Sequence, residues 1–485
     1  MNIKHITLTA AIIAAITIST GCNYQEEDDV LMSRRSQEAI ARQQEEEQNK
    51  DGKDYTIWKF VHEVSAFYYL WNDNVPMLIN DYSQYESPEA LFESFRHKDD
   101  RFSVVLNNYT ETEEYFNNVE MTDGINYQLY LDKGNDVIAV VEYVYDDSPA
   151  QKAGIERGFV IHKINGTQLT TTNYDKLLAQ ETCTYTYSVI ETKTENGEEV
   201  ISYGNDMKES KAITKQKMDI NPILKSTVIV KNGRRIGYFL YDSFTEDTDC
   251  IIKTIEKLSA NQIDDLILDL RLNGGGYLAT LDTLASMLVP EGNEGKLFIT
   301  ENYNDMLTSE LRREMQSRDF NKTFFSPNLP NLNLSRLYVL TSNHTGSASE
   351  ELISGLMPYM PVTIIGETTY GKFTSNYLIN DDEDEGSDDD DIPYSEWAVY
   401  ICVASCTNAK GEMNFKEGFT PDHEVADTYQ YALGDENEPL LSTALDLCAG
   451  SLAKSAKKQP APLQGYIGHY GKPADRFGLI SKKIK

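Results

Sequence analysis

Asp265-Leu266-Ile267-Leu268-Asp269-Leu270 leads into Gly274-Gly275-Gly276 and then into an apolar, helix-compatible stretch from Leu278 to Leu288. An apolar strand, a glycine turn and a helix in that order make the repeating unit of an α/β layer, whose strands are covered on both faces. The unit recurs. Arg235-Ile236-Gly237-Tyr238-Phe239-Leu240 reads as a strand, and Leu337-Tyr338-Val339-Leu340 is another, followed by a helix predicted from about Ser347 to Met357. From about residue 222 onward the chain is therefore expected to form an α/β core around a mostly parallel sheet, within a segment 218–450.

Upstream the pattern changes. Residues 119–217 carry short β-rich runs, such as Asp136-Val137-Ile138-Ala139-Val140-Val141 and Tyr185-Thr186-Tyr187-Ser188-Val189-Ile190, separated by turn residues. Between them Ser148-Pro149-Ala150, Ala153-Gly154-Ile155 and Ile164-Asn165-Gly166 occur in order and closely spaced, which resembles the bacterial PDZ signature. A PDZ domain takes an extended C-terminal peptide by strand addition and holds its carboxylate on backbone N–H groups. The resemblance places that carboxylate loop and the peptide-binding residues at Gly124, Ile125, Tyr127 and Leu129, without the Gly-Leu-Gly-Phe form, so peptide specificity stays open. Residues 54–118 read as a small helical domain: Trp58, Val61, Val64 and Phe67 recur at helical spacing, and Pro88 opens a second helix, Glu89 to Phe95.

The 485 residues are 40% hydrophobic and 25% charged, ordinary for a globular protein, but the formal charge is −33. That charge disfavours nucleic acid and anionic membrane surfaces as partners. At the N-terminus, Lys4 and His5 precede an apolar run, Ile6 to Ile18, too short to span a bilayer as a helix. Ser19-Thr20-Gly21-Cys22 then resembles the lipobox of bacterial lipoproteins, with Ser19 where leucine is common. Residues 1–21 are thus expected to be a lipoprotein signal peptide and Cys22 the lipidated residue; an ordinary cleaved signal peptide is the alternative. The acidic stretch after Cys22, within a tether at 22–53, resembles the export signal of some Bacteroidetes surface lipoproteins. The expected location is the outer membrane, at the cell surface or periplasmic face, held by the lipid anchor alone. Residues 451–485 read as a basic, loosely ordered tail. None of the six cysteines forms a CxxC pair, and neither a metal nor a cofactor is expected. The acidic run Asp381 to Asp391 lacks the spacing of an EF-hand.

Thr345-Gly346-Ser347-Ala348-Ser349-Glu350 sits where a strand gives way to a helix. Taken alone, Ser347-x-x-Glu350 is a capping box that many helices use without catalysis. Context alters its meaning. The run Gly366-Glu367-Thr368-Thr369-Tyr370-Gly371-Lys372 follows, and Thr-x-Ser-Ala-Ser-Glu with Gly-Glu-x-x-x-Gly-Lys resembles the C-terminal-processing, or tail-specific, serine proteases. Asp269-Leu270-Arg271-Leu272-Asn273-Gly274-Gly275-Gly276, Gly418-Phe419-Thr420-Pro421-Asp422 and Asp100-Arg101-Phe102-Ser103 agree with that family's motifs.

The resemblance covers residues from about 54 to 425. It implies a crotonase/ClpP-like protease core with the helical and PDZ domains before it, and a Ser-Lys dyad in which Ser347 is the nucleophile and Lys372 its base. A free lysine with a pKa near 10.4 is a poor base at neutral pH; burial is expected to lower it to roughly 7–8. The family pattern implies that Ala348 N–H and one N–H of the Gly275-Gly276 turn hold the oxyanion. Asn376 stands where many members have a glutamine that supports the dyad, and its side chain is one methylene shorter. Polypeptides with free C-termini are the implied substrates. A peptide-binding surface lipoprotein with weak or lost catalysis on the same scaffold is the competing reading, and an acyl-CoA enzyme on a crotonase-like core is a third. His344, three residues before Ser347, is expected to be a loop histidine, since closeness in sequence is not the geometry of a triad.

Overall fold

The β-rich runs in the middle of the chain and the apolar runs farther on produce two sheets, one antiparallel and one mostly parallel. The computed structural model describes residues 55–195, 198–204, 206–380, 396–450 and 463–470. They fall into two compact units. The larger comprises Glu111–Thr300, Lys322–Phe373 and the residues from Thr407; the smaller comprises those up to Thr110 with Glu301–Asn321 and Thr374–Cys406.

In the larger unit, β1 (Ile125–Leu131), β2 (Val137–Val144) and β3 (Phe159–Ile164) form an antiparallel meander. The short helix α1 (Tyr174–Leu178) precedes β4 (Tyr185–Val189), which pairs with β3. Every second residue faces one core: Tyr127 and Leu129 from β1, Val137, Ala139 and Val141 from β2, with Leu177 and Tyr185 packed among them.

The second sheet begins with a hairpin of β5 (Ile223–Lys231) and β6 (Arg234–Tyr241). Its two-residue turn, Asn232-Gly233, has positive φ at both positions (51° and 79°), as a right-twisted hairpin requires. Helix α2 (Asp249–Ala260), β7 (Asp265–Asp269), α3 (Leu278–Leu288), β8 (Leu337–Thr341), α4 (Ala348–Leu356), β9 (Val362–Gly366), β10 (His423–Glu424) and α5 (Pro439–Cys448) follow. Strand order is β5-β6-β7-β8-β9-β10, parallel from β6 onward. Leu440, Leu441 and Leu445 of α5 pack against Tyr238, Ile267, Leu340 and Ile365, and every residue of β7 is buried.

The final described strand, β11 (Tyr466–Tyr470), returns to the first sheet and pairs antiparallel with β1. The region expected to be a loose tail thus contains an ordered edge strand.

In the smaller unit, helix Thr56–Tyr68 packs with helix Pro88–Phe95, whose Ser87 cap accepts the Ala90 N–H at 3.2 Å. Helix Asp305–Met315 joins them through Asn304, whose Nδ2 donates to the carbonyls of Phe67 and Tyr69 at 2.9 and 2.8 Å. Strand Val104–Leu106 pairs with Ala398–Tyr400. The unit is therefore neither purely helical nor contiguous, in contrast to the 54–118 and 218–450 segments expected from the chain; pairing between distant segments leaves no local trace. The signal peptide, Cys22, the acidic tether and Asp381 to Asp391 lie outside the described residues. Cys183, Cys250, Cys402, Cys406 and Cys448 are free thiols.

Candidate active site

The nucleophile candidate stands on a turn stitched to its neighbours by side chains. β8 ends at Thr341, and the loop Ser342–Gly346 is tied down at four points. Ser342 Oγ donates to Arg271 O at 2.6 Å, Thr345 Oγ1 to Leu270 O at 2.9 Å, and Gly346 N–H to Asn273 O at 3.2 Å. Tyr370 N–H donates to Thr345 O at 2.9 Å, which brings in the segment carrying Lys372. Ser347 itself has φ 54° and ψ −121°. That backbone is costly for a residue with a Cβ, on the order of 1–3 kcal/mol, and such strain is characteristic of strand-to-helix turns that present a nucleophile. Ser347 is half-buried at the N-terminus of α4, where first-turn N–H groups have no partner within the helix.

The 274–276 turn lies against this serine. A Cβ on Gly275 would come within 2.7 Å of Ser347 Cβ, and its φ of +112° also demands glycine. Gly275 N–H is already donated to Asn273 Oδ1 at 2.9 Å. The N–H of Gly276 is not used by the parallel bridge at this point, in which Phe244 N–H reaches Gly275 O at 3.0 Å and Tyr277 N–H reaches Phe244 O at 2.7 Å. Of the three residues expected to form an oxyanion hole, Gly275 thus has its N–H spent on holding the turn.

Lys372 is 5% exposed. Its backbone and that of Ser347 are joined through Glu350, the last residue of the capping box. The Glu350 carboxylate is buried and accepts four donors: Ser347 N–H at 3.1 Å and Lys372 N–H at 2.8 Å on Oε2, Gly371 N–H at 2.7 Å and Thr369 Oγ1 at 2.5 Å on Oε1. Burial raises its pKa to about 7, against the opposing pull of Thr369 and the three N–H groups. Thr369 Oγ1 also accepts the Phe419 N–H at 2.7 Å, so the Gly418–Asp422 segment enters the same web. The capping-box spacing and the Thr-x-Ser-Ala-Ser-Glu motif both mark Glu350 in the sequence, but neither could reveal its partners beyond the helix.

Arg271 explains the Asp-Leu-Arg motif structurally. It is 1% exposed and makes a two-pronged pair with Glu438 (2.9 and 3.0 Å) plus ion pairs to Asp269 (3.0 Å) and Asp427 (3.1 Å). Arg157 reaches Asp427 at 2.5 Å. Burial pushes the Asp427 carboxyl up, but Arg157 and Arg271 outweigh it and hold the pKa at about 2.

Asn376 belongs to the smaller unit. Its Oδ1 accepts Thr374 Oγ1 at 3.1 Å and its Nδ2 faces Cys402 Sγ at 3.5 Å. The motif residue Asp100 anchors the same network, accepting from Cys402 Sγ at 3.4 Å and from Tyr69 OH at 2.7 Å. In the first sheet, Tyr127 and Leu129 are buried and opposed by Tyr470 and Gly468, while Gly124 and Ile125 donate their N–H groups to Thr122 Oγ1 and Asp123 Oδ1 at 3.0 and 3.1 Å. His344 is buried, 4.3 Å from His469 between ring centroids. No cluster of histidine, cysteine and carboxylate side chains able to hold a metal occurs among the described residues.

The strained serine at this strand-to-helix turn thus has a glycine turn pressed against it and a backbone tied through a buried carboxylate to that of a buried lysine. The chain belongs to peptidase family S41: the model described as "Peptidase family S41" matches residues 235–425, and "Peptidase S41 N-terminal domain" matches 57–104. A carboxyl-terminal-processing protease of Synechocystis is 23% identical over 72% of this chain and 75% of its own length. The carboxy-terminal processing protease CtpB of Bacillus subtilis is 22% identical over 61% of this chain and 58% of its own. Among solved structures, a putative S41 protease from Bacteroides fragilis superposes with a TM-score of 0.65 at 26% identity, covering 81% of this chain and 98% of that one. These likenesses agree with the expected ClpP/crotonase-like protease fold.

Proposed function

We propose that this chain is an exported serine endopeptidase in which Ser347 attacks the scissile carbonyl and Lys372 Nζ receives its proton. Ala348 N–H and Gly276 N–H face the developing oxyanion, and the protonated lysine returns its proton to the leaving amine. The observation that carries this reading is the Glu350 carboxylate, which holds the backbones of Ser347 and Lys372 through one oxygen. A dyad separated in sequence needs such a brace to keep its two members in register. The β1–β4 sheet acts as a PDZ domain that captures extended C-terminal segments of polypeptides, and Cys22 carries the lipid that tethers the enzyme to the outer membrane.

Cleavage of an unfolded protein by wild type, Ser347→Ala and Lys372→Ala tests the assignment. Both variants are expected to lose activity, and equal activity in all three would overturn it. Amidation of a substrate's C-terminus should weaken processing if the tail is recognised. One observation favours the competing reading, a peptide-binding scaffold with little catalysis: both ends of the Asn376 amide face Thr374 and Cys402. Absence of cleavage by wild type, with C-terminal peptides still bound, is its signature.

A further inference from the structure

The edge of β1 is already occupied. β11 pairs antiparallel with it, Tyr466 opposite Tyr130, Gly468 opposite Leu129, His469 opposite Gln128 and Tyr470 opposite Tyr127. The Leu131 N–H extends the ladder by donating to Gly465 O at 2.7 Å. On the other side, Tyr470 OH reaches the Asp175 carbonyl of α1 at 3.5 Å, and Tyr470 and Ile467 pack into the core that β1, β2 and α1 share. β11 thus lies between the first strand after the Gly124 turn and the helix that faces it. Its polarity is that of an added peptide, since its C-terminal residue Tyr470 stands at the Gly124–Ile125 end of β1.

The same strand touches the catalytic loop. His469 Nε2 lies 2.9 Å from Glu142 Oε2, and the His469 ring stacks on His344 with an interplanar angle of 24°. His344 is three residues from Ser347, in the loop tied to Arg271.

We propose that Tyr466–Tyr470 is an internal ligand of the β1–α1 groove, and that the extended C-terminal segment of a polypeptide substrate binds there by displacing it. This rests on the reading of the first sheet as a peptide-capturing domain. A tethered strand competes at an effective concentration on the order of millimolar, so the apparent affinity for an incoming peptide falls by the fraction of grooves left open. Displacement also removes His469 from His344, which links arrival of a substrate tail to the loop before the nucleophile.

The test uses the full chain carrying Ser347→Ala, with and without the pair Ile467→Asp and Tyr470→Ala. The probe is a fluorescent ten-residue peptide ending in an aromatic residue with a free carboxylate, followed by anisotropy. The pair of substitutions is expected to tighten binding at least about ten-fold. Equal affinity in both proteins overturns the proposal and leaves peptide capture standing; binding to neither removes peptide capture and the proposal together. Hydrogen exchange on the protein with its strand unaltered decides the matter even if the substituted chain misfolds. Saturating peptide should strip protection from residues 466–470 while β1 stays protected, and protection retained at 466–470 with peptide bound overturns the proposal.

Discussion

Lys372 donates its backbone N–H to Glu350 at 2.8 Å, and Glu350 is the only carboxylate among the described residues that also receives the N–H of Ser347. Glu350→Gln puts an amide donor where one of two accepting oxygens stood, facing N–H groups that need acceptors. It is expected to lower kcat at least about ten-fold while KM changes little, the cost of one or two buried hydrogen bonds. Steady-state kinetics on a peptide substrate checks this.

The same residue sets a pH dependence of stability. Its pKa rises from 4.5 to about 7 on folding. Between these values the folded state holds the proton that the unfolded state releases, so stability falls as pH rises from 4.5 through 7 by about 3 kcal/mol and then levels off. The fall should be absent in Glu350→Gln, measured as the difference in Tm between the two proteins across that range.

Asp427 acts with the opposite sign. Its pKa of about 2, below the usual 3.8, contributes stability that is full above 3.8 and is lost as pH falls through about 2. Asp427→Asn should flatten that acid limb. Arg271→Met should be more damaging, about 3–5 kcal/mol in urea denaturation, because Asp269 and Glu438 stay buried without their cation.

Gly275→Ala tests the close approach of the glycine turn. Its Cβ would meet Ser347 Cβ at 2.7 Å at a φ that alanine resists, so the turn or the serine must shift. Activity is expected to fall by about 100-fold or more, with a stability loss of about 1–3 kcal/mol, since misplacement at the reacting atoms costs more than it does in packing.

Asn376→Ala separates support of the dyad from local structure. Thr374 Oγ1 would lose its acceptor, at a cost of about 1 kcal/mol. Turnover is expected to fall far less than in Lys372→Ala; an equal fall would make Asn376 a member of the site.

Elements built from local signals were legible at once. Leu278–Leu288 is a helix over the very residues its apolar spacing predicted, and the strand ending at Thr341 hands over to a helix one residue past Ser347. What the motifs could not show was the use of Glu350 beyond its own helix. Its acceptors' partners, Gly371 and Lys372, come from a segment about six turns of helix farther along the chain. Tyr466-Ile467-Gly468-His469-Tyr470 was equally opaque, because an edge strand of five residues in a polar, basic stretch carries little hydrophobic signal of its own.

Periodicity and short motifs in order were therefore enough for the α/β core, the strand-to-helix turn that carries Ser347 and the family, since each motif is itself a local pattern. Three matters needed the folded molecule: which oxygen unites Ser347 and Lys372, which N–H groups of the glycine turn stay unspent, and what lies along the edge of β1. Each depends on hydrogen bonds between segments far apart in sequence. Such bonds form only once burial has brought their partners together, and no local pattern of residue types specifies them in advance.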